Sequence, residues 1–100
     1  MNREEQLLAY LKGACTGRAY RASGADLERA LHLSGADLRK HVSRLRRRGV
    51  PIASDRYGYF YAQTAGEVYA TIQLLRKIVR GLEAVIQGLE HSLDGFPVGR

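Results

Sequence analysis

The sequence predicts a mainly α-helical chain with one small β-hairpin and a long C-terminal helix. Three observations lead there. Capping signals at Ser23, Ser34 and Thr64 each precede apolar residues at helical spacing. The runs Val50-Pro51-Ile52-Ala53 and Tyr59-Phe60-Tyr61-Ala62 flank a polar turn, Ser54-Asp55-Arg56-Tyr57-Gly58. From Val68 to Leu93 apolar residues recur at alternating intervals of 4 and 3, with no proline until Pro97.

One hundred residues suit one small domain with an appended element. A hydrophobic share of 45% with mixed charges belongs to a folded chain. No apolar run is long enough to span a membrane. Met1-Asn2-Arg3-Glu4-Glu5 lacks the apolar stretch of a signal peptide. The single cysteine, Cys15, has no partner for an internal disulfide, and the cytoplasm is the expected compartment.

A first helix is expected from about Arg3 to Lys12, with Leu7, Leu8 and Leu11 on one face. Gly13 to Ala22 reads as a loop. Ser-Gly-Ala-Asp then occurs twice, from Ser23 and from Ser34. In each copy the serine is an N-cap and the aspartate sits in the first turn, at the positive end of the helix dipole. Two short helices joined by a tight turn around Leu33-Ser34 follow. The second helix of the chain would turn Leu27, Ala30 and Leu31 inward. The third runs from about Gly35 to Arg48 and stops at Gly49. The hairpin comes next, with Pro51 at the start or open edge of its strand.

Thr64 and Glu67 stand in capping-box spacing, and a helix from about Ala65 to Leu93 is expected. Ile72, Val79 and Ile86 share one heptad position and Leu75, Leu82 and Leu89 another. That arrangement of β-branched residues and leucine favours parallel two-stranded coils, and these six residues are the expected dimer interface. Leu74, Ile78 and Val85 widen the apolar face beyond a strict seam. The expected organisation is a folded domain over 1–63, a dimerisation helix over 64–93 and a flexible tail over 94–100.

Charge singles out the third helix. Residues 1–63 hold twelve Lys/Arg against six Asp/Glu, whereas residues 64–100 hold four of each. Six of the twelve basic residues lie between Arg39 and Arg48, where no acid occurs. Leu38, Val42 and Leu45 still keep an apolar stripe there, so the helix can pack on one side and remain basic on the other.

The order helix, helix, turn, helix, hairpin is that of a winged helix-turn-helix. Residues 31–62, LHLSGADLRKHVSRLRRRGVPIASDRYGYFYA, resemble the N-terminal DNA-binding domain of the biotin-operon repressor family and related small bacterial and prophage winged-helix regulators. The resemblance rests on Ser34 as cap, Val42 and Leu45 as anchors, Gly49-Val50 leading into the wing, and Gly58-Tyr59 opening its second strand. It covers about a third of the chain. The sequence shows no counterpart of that family's ligase and ligand-binding domains, and biotin chemistry is not part of the expectation. The resemblance implies that the third helix recognises DNA.

With Leu38 at zero and about 100° per residue, Val42 falls near 40° and Leu45 near 340°. Lys40, Ser43, Arg44 and Arg47 point away from that buried face. Arg39 and Arg46 flank one side of it, His41 and Arg48 the other. Arginine can read guanine O6 and N7 in the major groove, and residues early in such a helix approach the bases. Arg39, Lys40 and Ser43 are therefore the base-reading candidates. Arg44 and Arg47 are expected on phosphates, and Arg46 and Arg48 on phosphates or solvent. Arg56, at the hairpin tip, is a candidate for the minor groove or backbone. The aromatic residues 57 and 59–61 fit either base stacking or packing of the hairpin onto a helix, and packing is the commoner use.

No reactive constellation accompanies these features. His32, His41 and His91 lack metal-ligand spacing, and no phosphate loop, nucleophile elbow or zinc motif occurs. The chain is expected not to be an enzyme and to need no cofactor, metal or small-molecule ligand. Cys15 is expected to be buried or incidental rather than redox-active. The expected function is that of a homodimeric, sequence-specific duplex-DNA-binding protein, a bacterial or phage transcriptional regulator. Helix 35–48 would lie in the major groove and the 54–58 tip on the backbone or minor groove. The alternatives are a winged-helix interaction module in a replication or packaging complex, and an RNA or single-strand binder.

Overall fold

The computed structural model describes residues 1–97, and it is mainly helical with one hairpin. Helix α1 spans Arg3–Ala14, two residues beyond the expected end, and is held by a capping box between Asn2 and Glu5. Helix α2 spans Gly24–Leu31 and α3 spans Gly35–Arg47. Ser23 Oγ accepts the Asp26 N–H at 3.0 Å and Ser34 Oγ accepts that of Asp37 at 3.1 Å, so the repeated tetrapeptide is one cap used twice.

The two helix ends differ in residue but not in device. At the end of α3, Gly49 is left-handed (φ 89°), and the N–H groups of Gly49 and Val50 bond the carbonyls of Arg46 and Leu45, both at 3.0 Å. At the end of α2 the left-handed position is taken by His32 (φ 55°), and Leu33 N–H bonds the Glu28 carbonyl at 3.0 Å. Arg3 donates to the Leu31 and His32 carbonyls, which serves two acceptors left over at that helix end.

Leu7 and Leu11 of α1, Leu27 of α2, and Leu38, Val42 and Leu45 of α3 form the core together with Ile52. Ala30 is exposed, contrary to the expected inward position, and Leu31 is half-buried. The α2 inward face is narrow because the helix is only eight residues long.

Strands β1 (Ile52–Asp55) and β2 (Gly58–Tyr61) pair antiparallel, with Ile52 opposite Tyr61 and Asp55 opposite Gly58. Pro51 lies just before β1, where it need not donate, and its carbonyl accepts the Ala62 N–H at 2.9 Å. The expected loop over 13–22 is in fact structured. It contains a 3-10 turn at Arg18–Tyr20 and pairs with β2 at two points. Ala22 and Tyr59 exchange both backbone bonds, at 2.9 and 2.8 Å. Gly17 N–H bonds the Tyr61 carbonyl at 2.9 Å, and Tyr61 N–H bonds that of Cys15 at 2.7 Å. The outer edge of β2 is thereby paired.

Helix α4 spans Ala65–Ser92, roughly 42 Å at about 1.5 Å per residue. It starts on a Thr64–Glu67 capping box and packs on β1, where Thr71 Oγ1 accepts the Ser54 N–H at 3.1 Å. Beyond Thr71 it leaves the core, and the molecule is elongated, 57 × 29 × 23 Å. Leu93–Gly95 continues as a 3-10 turn, so the expected tail begins later than residue 94. Residues 98–100 of that tail lie outside the described residues. No helix among the described residues is long and apolar enough to cross a membrane.

Candidate nucleic-acid interface

Helix α3 presents two kinds of basic residue. Leu38, Val42 and Leu45 are at most 3% exposed, and they fix the rotation of the helix in the core. That rotation leaves Arg39, Lys40, Ser43, Arg44 and Arg47 in solvent. None of these four cations makes an ion pair among the described residues, and the Arg47 Nε–H reaches only the Ser43 carbonyl, at 3.4 Å.

Arg46 is used differently, which corrects the expectation for it, whereas Arg48 stays exposed as expected and adds one surface ion pair. Arg46 is half-buried and folds back on the hairpin. Its Nε donates to the Ile52 carbonyl at 2.8 Å and its Nη2 to Ser54 Oγ at 3.0 Å. Burial pulls its guanidinium below the ordinary arginine value, as for any cation withdrawn from water. Arg48 Nη1 donates to Glu4 Oε2 of α1 at 3.0 Å, and His41 Nδ1 lies 3.4 Å from Glu4 Oε1. Both arginines stand on the flanks of the buried stripe, where a long side chain can reach a neighbouring element. Their angular position was the available signal.

The hairpin tip adds further positive charge. Asp55 Oδ1 accepts the N–H groups of Tyr57 (2.9 Å) and Gly58 (3.2 Å), which closes the turn. Arg18 and Arg21 lie 3.8 and 3.6 Å from the same carboxylate. Arg56 is exposed and has no ion pair among the described residues. Its guanidinium and that of Arg21 lie 4.8 and 4.9 Å from the Tyr57 ring. Arg21 was not anticipated, because only the Ala22–Tyr59 pairing brings it to the tip. Gly58 permits that pairing. A Cβ there would press on the Ala22 carbonyl and come within 2.6 Å of its carbon.

The other aromatic residues of the hairpin are engaged. Phe60 is fully buried, with the Arg18 guanidinium 5.9 Å from its ring, and Tyr59 and Tyr61 are packed against the core. Only Tyr57, 55% exposed, stands free at the tip. An open cleft of about 880 Å³ runs between α3, the hairpin tip and α4, with Arg39, Ser43, Arg47 and Arg56 on its polar walls and Leu74 and Ile78 on its apolar one.

The described residues contain no group of His, Cys, Asp and Glu able to hold a metal ion. Cys15 is buried, and burial raises its thiol pKa. The expected interface residues Ile72, Leu75, Val79, Leu82, Ile86 and Leu89 are 38–64% exposed along one side of α4. The arrangement therefore offers unpaired cations on a rigid helix, a basic hairpin tip beside it, and a separate bare apolar stripe. No family model, no characterised protein and no solved structure matches the chain, and the roles of these residues rest on their geometry.

Proposed function

We propose that this chain is a homodimeric, sequence-specific duplex-DNA-binding protein of the winged helix-turn-helix class, acting as a bacterial or phage transcriptional regulator. Helix α3 is the recognition helix and the β1–β2 hairpin is the wing. The observation that carries the reading is the division of labour on α3. Its flanking arginines are bonded to the fold, and Arg39, Lys40, Arg44 and Arg47 are left without an anionic partner. Unpaired cations on a packed helix can meet phosphates and base edges without first breaking an internal ion pair.

Arg39, Lys40 and Ser43 occupy the early part of the helix and read bases in the major groove. Arg44 and Arg47 bind phosphates, and Arg56 meets the backbone or minor groove beside the tip. Helix α4 joins two such units, which makes the operator an inverted repeat. Burial of Phe60 and the packing of Tyr59 and Tyr61 argue against the single-strand reading, since a stacking platform needs exposed rings.

Selection of bound duplexes from a random pool tests the reading. Recovery of one inverted repeat that outcompetes both single strands and RNA is the expected result. Recovery of no consensus, or stronger binding to single strands, overturns it.

A further inference from the structure

The stripe on α4 has no cover among the described residues. Between Ile72 and Leu93, ten large apolar side chains are 38–65% exposed. Together they offer roughly 900 Å², the order of the 800 Å² that each partner of a standard interface buries and more than the usual patch on a monomer. We propose that a second copy of this chain covers the stripe with its own α4 in antiparallel orientation. The proposal rests on the dimer of the preceding subsection and adds orientation, register and the surface that receives the partner's C-terminal end.

Charge decides the orientation. The positions flanking the seam are unlike on its two sides, with Arg76, Glu83 and Glu90 on one and Ile78 and Val85 on the other. In a parallel pair these sides face each other, setting Ile78 against the partner's Glu83 and Val85 against the partner's Glu90. Each carboxylate would lose water and gain no cation. In an antiparallel pair like sides meet. With Ile72 opposite the partner's Leu89, Leu75 opposite the partner's Ile86 and Val79 opposite the partner's Leu82, every layer is apolar. Arg76 then flanks the partner's Glu83 and Ile78 flanks the partner's Val85, each pairing occurring twice by symmetry. Arg76 and Glu83 form no ion pair within the chain among the described residues, so both are available. The preference of β-branched residues and leucine for parallel coils is outweighed, because it does not provide for an apolar flank against an acidic one.

The fold supplies the seat for the far end. A groove of about 320 Å³ beside α4 is lined by Val50, Pro51, Ile52, Val68, Ile72 and Leu75, among others. The same register carries the partner's Leu93 to Val68, into that groove, with the partner's Phe96 following. Leu93 and Phe96 are each 65% exposed within the chain. The seat and the cleft that holds Arg39, Ser43 and Arg47 share Leu75, and the partner's helix covers the cleft's apolar wall at Leu75 and Ile78, opposite its basic wall on α3. The two Thr71 anchor points stand roughly 28 Å apart along the helix axis at about 1.5 Å per residue, of the order of one turn of DNA.

The test uses the full chain with Cys15→Ala and one added cysteine, either Ala84→Cys or His91→Cys, spin-labelled on the exposed outer face of α4 for dipolar distance measurement. The antiparallel register places the two labels roughly 10 Å apart along the axis at position 84 and roughly 32 Å apart at position 91. The label at 91 should therefore report a distance longer by 10 Å or more. Equal distances at the two positions overturn the orientation and leave the dimer standing. A monomeric unsubstituted chain in sedimentation equilibrium overturns the dimer reading itself. As a second measurement, Arg76→Glu should weaken dimerisation by about tenfold, and adding Glu83→Arg should restore it. Failure of the double variant to recover also contradicts the antiparallel pairing.

Discussion

Arg46 of α3 donates through Nε to the carbonyl of Ile52 at 2.8 Å, and this bond holds the last turn of the basic helix against the first strand of the hairpin. With Thr71 of α4 on Ser54, it means that the outer edge of β1 is closed by side chains from two helices. Arg46→Ala should cost about 2 kcal/mol, the range of a hydrogen bond from a charged donor. Arg44→Ala and Arg47→Ala should leave stability within about 0.5 kcal/mol. Urea denaturation of the three variants measures the difference, and equal costs would remove the distinction between structural and free arginines.

Gly58→Ala tests the pairing that brings Arg21 to the hairpin tip. The added methyl meets backbone, not a mobile side chain, so the Ala22–Tyr59 bonds must open or the hairpin must shift. A loss of about 3 kcal/mol is expected from thermal unfolding. Rapid hydrogen exchange at the Ala22 and Tyr59 amides should accompany it in the folded variant.

At His32 the native residue is the strained one. Its left-handed backbone is a conformation that glycine adopts without penalty, and the His32 side chain is exposed. His32→Gly should raise stability by about 0.5–1 kcal/mol in the same denaturation assay. A loss would mean that the imidazole makes a contact of its own.

Glu67 makes the attachment of α4 dependent on pH. Its carboxylate accepts the N–H groups of Gln63 (2.7 Å), Arg18 (3.1 Å) and Thr64 (3.3 Å), which hold its pKa below the ordinary value of 4.5. A depressed carboxyl stabilises the folded state fully above the unfolded value. That contribution is lost as pH falls from about 4.5 through the lower folded value. Amide protection in the first turn of α4, taken relative to the intrinsic exchange rate at each pH, should therefore fall across that window in the native chain. In Glu67→Gln it should be low at neutral pH already and change little on acidification.

The elements were largely legible because their signals are local. Ser23, Ser34, Thr64 and Gly49 mark helix ends through bonds to their own neighbours, and Leu38, Val42 and Leu45 define a buried face by spacing alone. The misjudged positions depend on which element lies alongside. Nothing near Ala22 announces that its backbone pairs with Tyr59, and the 15–22 segment has no side-chain period because its bonds are backbone bonds. Arg46 read as a free cation, and the ion pair of Arg48 was not legible, since the sequence does not place the hairpin beside one flank of α3 and Glu4 beside the other. The free face of the candidate site was legible, and its borders were not.

The salt dependence of duplex binding, followed by fluorescence anisotropy, tests the central claim most directly. Log affinity should fall linearly with log salt, by about 0.9 per phosphate contact. Arg44→Ala and Arg47→Ala should each flatten that slope by about one per bound recognition helix, whereas Arg39→Ala and Lys40→Ala should also relax sequence preference. Weak binding with no salt dependence, or a slope unchanged in all four variants, would contradict the assignment of α3 as the DNA-reading helix.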